Sequence, residues 1–360
     1  MSKIPIKNLY YMLTYAWDIL DEADKIQISK DSYEQDLDFL GSILNSSVNY
    51  QLKRGLYKDY LLRSEQTATI KGKINFSDSL KKQTFLKCQA ICEFDEYTED
   101  NQPNRIIKTA LYRVFCSDNL CPKLAIEIKN TLSILKNVSL LSSAPKDIET
   151  IRLPKNFQFY KLLLSVSSFI LTNTSQNESN GKYEFIDFIR SPHKMRKLYE
   201  KFVYNFYQKE LSGTHKVENS KSQYVGIENS LKNSKTIPYL ITDIELVSLK
   251  TGQRIIIDTK FEKETLTKNM YGQEKIHSKY LMQLMTYLEN RRRSCKEKAI
   301  GILLYPTIDQ TYEVSNNIWD YNIHIMNIDL SEDWSSIKSN LINLITKVEV
   351  FKNTYAQKAA

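Results

Sequence analysis

Apolar residues recur at helical spacing over residues 8–20, where Leu9, Met12, Leu13, Ala16, Ile19 and Leu20 line one face. A second such run, 36–56, carries Leu37, Leu40, Ile43, Leu44, Val48 and Leu52 and stops at Gly55. Alternating segments at 57–63, 65–74 and 85–94 predict strands, so this part of the chain mixes helices with a small sheet. Asn101 to Pro103 mark a turn, after which Ile106, Ile107, Ala110, Leu111 and Val114 restore the helical period. The stretch 141–155, with Ser142, Ser143, Pro145 and Pro154, reads as a linker. It divides an α+β N-terminal domain, residues 1–150, from an α/β domain, residues 151–360, in which a mixed central sheet is flanked by helices.

In the second domain, 157–173 reads as a buried helix and 174–181 as a polar loop. Ser191 followed by Pro192 signals the start of a helix that runs to Glu210. Two strands follow, 244–249 and 254–261, joined by the turn Lys250-Thr251-Gly252. In the second of them, alternation puts Asp258 and Lys260 on one face and Thr259 on the other. A hairpin of this length brings Asp243 back beside Asp258. A carboxylate and an ammonium in an otherwise apolar strand are costly to bury unless paired or bound to a metal.

Two carboxylates converging beside a lysine suit metal-assisted phosphodiester hydrolysis. The carboxylates hold Mg²⁺, a hard cation that keeps several waters, and the lysine orients a water or stabilises the oxyanion. The triplet Asp258-Thr259-Lys260 alone also suits a salt bridge on an edge strand. Three features add to it: the upstream Asp243, Glu200 on the preceding helix as a further ligand, and Gln283 with Tyr287 four residues apart on one face of a later helix. The order Glu200, Asp243, Asp258-x-Lys260, Gln283-x-x-x-Tyr287 resembles the PD-(D/E)xK nuclease superfamily with the RecB-like fourth motif. It implies Asp243, Asp258, Lys260 and Gln283 as catalytic residues, Glu200 and Tyr287 as accessory, and Asp243, Asp258 and Glu200 as metal ligands.

Composition adds limits. With 42% hydrophobic and 26% charged residues the chain is globular, and no apolar run approaches the length of a membrane helix. Met1 to Lys7 contain no apolar leader segment, which places the protein in the cytoplasm, away from any membrane. Lysines and arginines number 50 against 42 acidic residues, a net charge of +8 that is spread along the chain and is compatible with a polyanionic partner. The five cysteines read as free thiols; Cys88, Cys92, Cys116 and Cys121 lack the two-residue spacing of a zinc knuckle and read as buried. No GxxxxGK[ST] or GxGxxG loop is present, so the chain has no nucleotide site of its own.

A narrower resemblance spans almost the whole chain. Ile4-Pro5-Ile6-Lys7-Asn8-Leu9-Tyr10-Tyr11 through Trp17, Ile70-Lys71-Gly72-Lys73-Ile74-Asn75-Phe76, Phe94 to Asp100 with Asn104 to Lys108, Thr242-Asp243-Ile244, Glu274 to Ser278, Tyr280 to Leu288, and Leu303-Leu304-Tyr305-Pro306 are similar to the McrC family of nuclease subunits. That resemblance implies a McrBC-like restriction complex cleaving methylcytosine-containing double-stranded DNA with Mg²⁺. Its partner is a McrB-like hexameric AAA+ ring that binds the GTP and reads the modified base, while the N-terminal domain docks in the ring's channel and stimulates its GTPase. An adaptor with an inert nuclease site and a stand-alone RecB-like exonuclease are the alternative readings.

Peripheral candidates are weighed against plainer roles. Arg291, Arg292, Arg293 and His277 could contact DNA phosphates, or form a solvated helix end and an exposed loop. Lys263 and Lys268, after the active strand, could reach the ring and aid GTP hydrolysis. Glu245 shares a face with Asp243 but reads as a strand-surface residue, and Asp95, Glu96, Glu99 and Asp100 read as a surface loop facing a basic partner.

Overall fold

The computed structural model describes residues 4–26, 36–118, 120–143, 148, 151–176, 183–185, 191–225, 237–262, 267–268, 274–308 and 312–358. In chain order the first elements are helices α1 (Ile6–Ala16), α2 (Leu20–Ala23) and α3 (Asp36–Arg54), then strands β1 (Asp59–Thr67) and β2 (Lys73–Ile74). Next come α4 (Phe76–Lys81), β3 (Ala90–Thr98), α5 (Gln102–Phe115), α6 (Pro122–Ile134), α7 (Phe159–Thr172), β4 (Thr174–Gln176) and β5 (Tyr183–Phe185). The remainder comprises α8 (Pro192–Glu210), β6 (His215–Glu218), β7 (Lys221–Ser222), β8 (Leu240–Ile241), β9 (Ile244–Ser248) and β10 (Arg254–Thr259). It closes with β11 (Thr267–Lys268), β12 (Glu274–Lys275), α9 (Ser278–Cys295), β13 (Ile300–Thr307), β14 (Glu313–Ile318), β15 (Tyr321–Asp329) and α10 (Trp334–Lys358).

The chain forms two compact units, residues 21–187 and residues 1–20 with 188–360, which differs from the expected division at residue 150. Two helices account for the difference. α1 packs on α8 and on the start of α10: the Tyr15 hydroxyl donates to Glu210 Oε1 at 2.6 Å, Asn205 Nδ2 donates to Tyr15 O at 2.8 Å, and Tyr11 stacks on Trp334 of α10 at 4.8 Å. Asn8, 4% exposed, caps the end of another segment by donating to Leu330 O and Glu332 O. α7, in turn, packs against α3 and α5. Amphipathic periodicity shows that a helix has a partner without showing which one.

Residues 21–187 contain a helical core and a three-stranded antiparallel sheet of order β1-β3-β2. Asn101 caps α5, its side chain accepting the Asn104 N–H at 3.2 Å, and Tyr160 joins α7 to this corner by donating to Asn104 Oδ1 at 2.8 Å. The segment expected as strand 85–94 begins instead with a helical turn, Thr84–Lys87, and becomes extended only at Ala90. The acidic cluster is only partly a loop: Asp95 and Glu96 lie on β3, Glu99 and Asp100 follow it, and Asp100 accepts from Arg105 at 2.7 and 2.8 Å and from the Ser139 N–H at 2.8 Å. Arg105 holds the Asp100 carboxyl well below the usual carboxylate range. Gly72 is required by shape, because at φ +60° an added Cβ would lie 2.4 Å from the Glu93 carbonyl oxygen. All five cysteines are free, but of Cys88, Cys92, Cys116 and Cys121 only Cys92 is buried.

The second unit is built on a six-stranded mixed sheet of order β14-β15-β13-β10-β9-β6. β9 and β10 form the expected antiparallel hairpin, with Ile244 opposite Ile257 and Val247 opposite Arg254. β10 and β13 are parallel neighbours joined through α9, a crossover that places the start of α9 beyond the C-terminal end of β10. Leu284, Met285, Tyr287 and Leu288 of α9 cover Ile256, Leu303 and Tyr305 of the sheet. Close approach depends on Gly301, where an added Cβ would meet Leu288 Cδ1 at 2.8 Å. Among the described residues no helix is long and apolar enough to cross a membrane.

Candidate active site

The site forms where the β9–β10 hairpin opens beneath the first turns of α9. Continuing the ladder one residue past the Ile244–Ile257 pair sets Asp243 across from Asp258. Asp243 is held there by Thr259, whose backbone N–H and hydroxyl donate to Asp243 Oδ2 at 2.8 and 2.9 Å. Thr259 has this role because it occupies the intervening position between Asp258 and Lys260; the sequence reading assigned it none.

Asp258 has no exposed surface. The Lys260 ammonium lies 2.7 Å from its Oδ2 as an ion pair, and among the described residues neither carboxylate oxygen accepts a hydrogen bond of ordinary geometry. Burial, opposed by Lys260 and reinforced by the charges of Asp243 and Glu200, pushes the Asp258 pKa up to about 7. Lys260 extends just beyond β10, its N–H bonded to Leu304 O at 2.9 Å. Its ammonium also donates to Gln283 Oε1 at 3.3 Å, and Gln283 Nε2 donates to the Tyr287 hydroxyl at 2.7 Å. The two motifs read from the sequence thus form one chain of contacts, Asp258 to Lys260 to Gln283 to Tyr287.

Glu200, on α8, is half-buried; burial and the Asp243 carboxylate raise its pKa, opposed by Lys260 and Lys197. Among the described residues no three acidic, histidine or cysteine side chains gather tightly enough to chelate a metal unaided. Asp258 with an unshared buried oxygen and Asp243 with one oxygen engaged by Thr259 nevertheless make a hard-oxygen pair suited to Mg²⁺, which fills its other positions with water and phosphate oxygens.

The peripheral candidates lie elsewhere. Arg291 bonds to Glu245 and, at 2.7 Å, to Ser220 Oγ; Glu245 is fully buried and also takes Arg254 at 2.8 Å. Glu245 is therefore the centre of a buried ion-pair cluster in place of the surface position expected for it. Arg292 and Arg293 both pair with Glu289, at 2.8 and 2.7 Å. His277 is exposed at the head of α9, its ring 5.5 Å from that of Tyr280. Lys268 is on β11, and Lys263 lies outside the described residues.

Besides Thr259, sequence reasoning missed three residues. Tyr280 places its ring 4.8 Å from the Lys260 ammonium, Glu262 accepts the Tyr280 hydroxyl at 2.8 Å, and Tyr305, buried on β13, has a hydroxyl without a hydrogen-bond partner among the described residues. The available signal was spacing: Tyr280 precedes Gln283 by three residues on the same helix.

A mixed sheet carrying a carboxylate pair and a lysine at one strand end, closed by a crossover helix, defines the molecule as an α/β protein with a polar site at its central hairpin. The chain belongs to the McrBC family: the model of the "McrBC 5-methylcytosine restriction system component" matches residues 4–306. It is 31% identical over 342 residues, 95% of this chain and 97% of the other, to the type IV methyl-directed restriction enzyme EcoKMcrBC of Escherichia coli K12. Its fold is similar to a chain in a half-complex of the Thermococcus gammatolerans tetradecamer of McrB AAA+ hexamers with bound McrC. That match has a TM-score of 0.53 and 13% identity, and covers 96% of this chain and 76% of the other.

The raised Asp258 pKa fixes a sign for stability. The folded state holds the Asp258 proton more tightly than the unfolded chain, so this contribution is complete below the ordinary value of 3.8 and is lost as pH rises through about 7. In EDTA, an Asp258→Asn variant is therefore expected to melt progressively higher relative to wild type as pH is raised from 4 to 8, by on the order of several degrees. Thermal scans of both proteins check this, and a difference that is flat or falls with pH contradicts it.

Proposed function

We propose that this chain is the Mg²⁺-dependent endonuclease subunit of a McrBC-type complex. In this reading it cuts methylcytosine-containing double-stranded DNA and stimulates the GTPase of a McrB-like AAA+ ring. The observation that carries the nuclease reading is the buried Asp258 carboxylate, which among the described residues accepts no hydrogen bond of ordinary geometry although Asp243 and Lys260 adjoin it. A group so placed is costly, and the Lys260 ammonium offsets only part of that cost. The hairpin, the crossover helix and the Asp258-x-Lys260 and Gln283-x-x-x-Tyr287 contacts support a PD-(D/E)xK fold.

Asp258 and Asp243, with Glu200 beside them, would hold the metal. Bound there, Mg²⁺ supplies Lewis-acid stabilisation of charge developing on the scissile phosphate. Lys260 does the rest at this end of the strand: its ammonium, oriented by Asp258 and Gln283, aligns the attacking water and donates to the phosphate oxygen that gains charge. Gln283 fixes the lysine and is itself fixed by Tyr287.

The partner reading draws on the similarity to McrC bound to McrB AAA+ hexamers and on an exposed apolar surface in residues 21–187. Tyr60, Leu62, Ile70, Phe76, Leu80 and Leu86 are largely exposed, with Leu62 at 70% and Leu86 at 81%. Exposed apolar groups in such number mark an interaction surface, and this one is drawn from β1, the turn before β2, α4 and the helical turn Thr84–Lys87. We assign docking on the ring to it; the GTP belongs to the ring.

Two experiments separate chemistry from docking. Asp243→Ala, Asp258→Ala and Lys260→Ala should each lower Mg²⁺-dependent cleavage by at least about 100-fold while melting near wild type and still stimulating GTP turnover. Cleavage retained by Asp258→Ala contradicts the active-site assignment. Leu62→Asp combined with Leu86→Asp should weaken ring binding and GTPase stimulation by about 10-fold or more without lowering the melting temperature. Unimpaired stimulation places the docking surface elsewhere.

A further inference from the structure

Lys260 stands past the last residue of β10, and a lysine side chain there has a flexible four-carbon stem and three donors to satisfy. The ammonium is ion-paired with Asp258 Oδ2 at 2.7 Å and donates to Gln283 Oε1 at 3.3 Å. The third side of the ammonium meets the ring face of Tyr280, whose centroid is 4.8 Å away. An aromatic face attracts a cation, most strongly where water is excluded, and Lys260 is only 12% exposed.

Tyr280 is anchored at its other end. Its hydroxyl donates to Glu262 Oε1 at 2.8 Å, and Arg196 Nη2 lies 3.1 Å from the same oxygen. Glu262 follows Lys260 by two residues, and Arg196 precedes Glu200 by one turn of α8. One phenol therefore joins the end of the active strand, the first turn of α9 and the helix that carries Glu200. The three elements are separate in sequence, and each contributes a residue to the site.

We propose that Tyr280 is a positioning residue for Lys260: its ring face holds the ammonium against Asp258, while its hydroxyl, through Glu262 and Arg196, braces α8 on the same site. The proposal rests on the nuclease reading. Among the described residues Tyr280 makes no hydrogen bond to Asp243 or Asp258, so its loss acts on the placement of Lys260 and leaves DNA binding alone.

The test compares Tyr280→Leu, which removes the ring face, with Tyr280→Phe, which keeps the face and removes the hydroxyl. Asp258→Ala serves as a control, and all are assayed as the full chain assembled with its ring, Mg²⁺ and GTP on methylated DNA. Tyr280→Leu should lower kcat by about 3- to 30-fold with KM and melting temperature little changed, and Tyr280→Phe should recover most of that loss. An unchanged kcat in Tyr280→Leu overturns the proposal, as does a loss confined to KM or one equally deep in Tyr280→Phe. Should Asp258→Ala still cleave, the nuclease reading itself fails, and a crystal structure of Tyr280→Leu then decides the positioning claim. Lys260 displaced from Asp258 upholds it, and Lys260 still in ion-pair contact overturns it.

Discussion

The structure of the C-terminal unit turns on the burial of one carboxylate. Asp258 sits among Ile255, Ile256 and Ile257 on a strand with neighbours on both sides, with no exposed surface and no hydrogen-bond donor among the described residues that meets its oxygens at ordinary geometry. Solvation of the ionised form is lost there, and the Lys260 ammonium offsets only part of that loss, which is why the carboxyl retains its proton to about pH 7. A fold that needed only stability would place an apolar residue at this position. In the nuclease reading we propose, a further cation completes the charge balance among Asp243, Asp258 and Glu200.

The surrounding elements follow from that requirement. The hairpin of β9 and β10 delivers the second carboxylate through its register, and Thr259 fixes that carboxylate with two donors. The parallel pair β10 and β13 needs a crossover helix, and the crossover carries Gln283 and Tyr287 over the strand end. Gly301 lets that helix approach closely enough for Gln283 to reach Lys260. Positioning therefore depends on backbone geometry at three places, with side chains supplying the last contacts.

Much of this arrangement was legible in the sequence because it is local. Asp258 and Lys260 alternate onto one face of a short strand, Gln283 and Tyr287 are one helical turn apart, and a tight turn at Lys250 to Gly252 dictates the hairpin, so period and spacing suffice for each. The partners of whole elements were not legible. Nothing in the apolar stripe of α1 says that it packs on α8, nearly 200 residues later, and nothing in 151–173 says that α7 completes the N-terminal helical core. Likewise Glu245 and Arg291 read as surface residues because the ion pair that accompanies the burial of Glu245 joins a strand to a helix about 46 residues away. Tyr280 went unread because an aromatic residue near a helix start most often serves the core, and only the location of Lys260 gives its ring a second role.

The central claim, that the Asp243 and Asp258 carboxylates form a divalent-cation site, is tested most directly by anomalous diffraction from crystals of the protein grown with Mn²⁺, a cation that favours the same oxygen ligands as Mg²⁺. The account predicts an anomalous peak between these two carboxylates, bonded to an oxygen of Asp258 and absent when Asp258 is replaced by Ala. Crystals saturated with Mn²⁺ in which that position is empty and Asp258 remains paired only with Lys260 would contradict it.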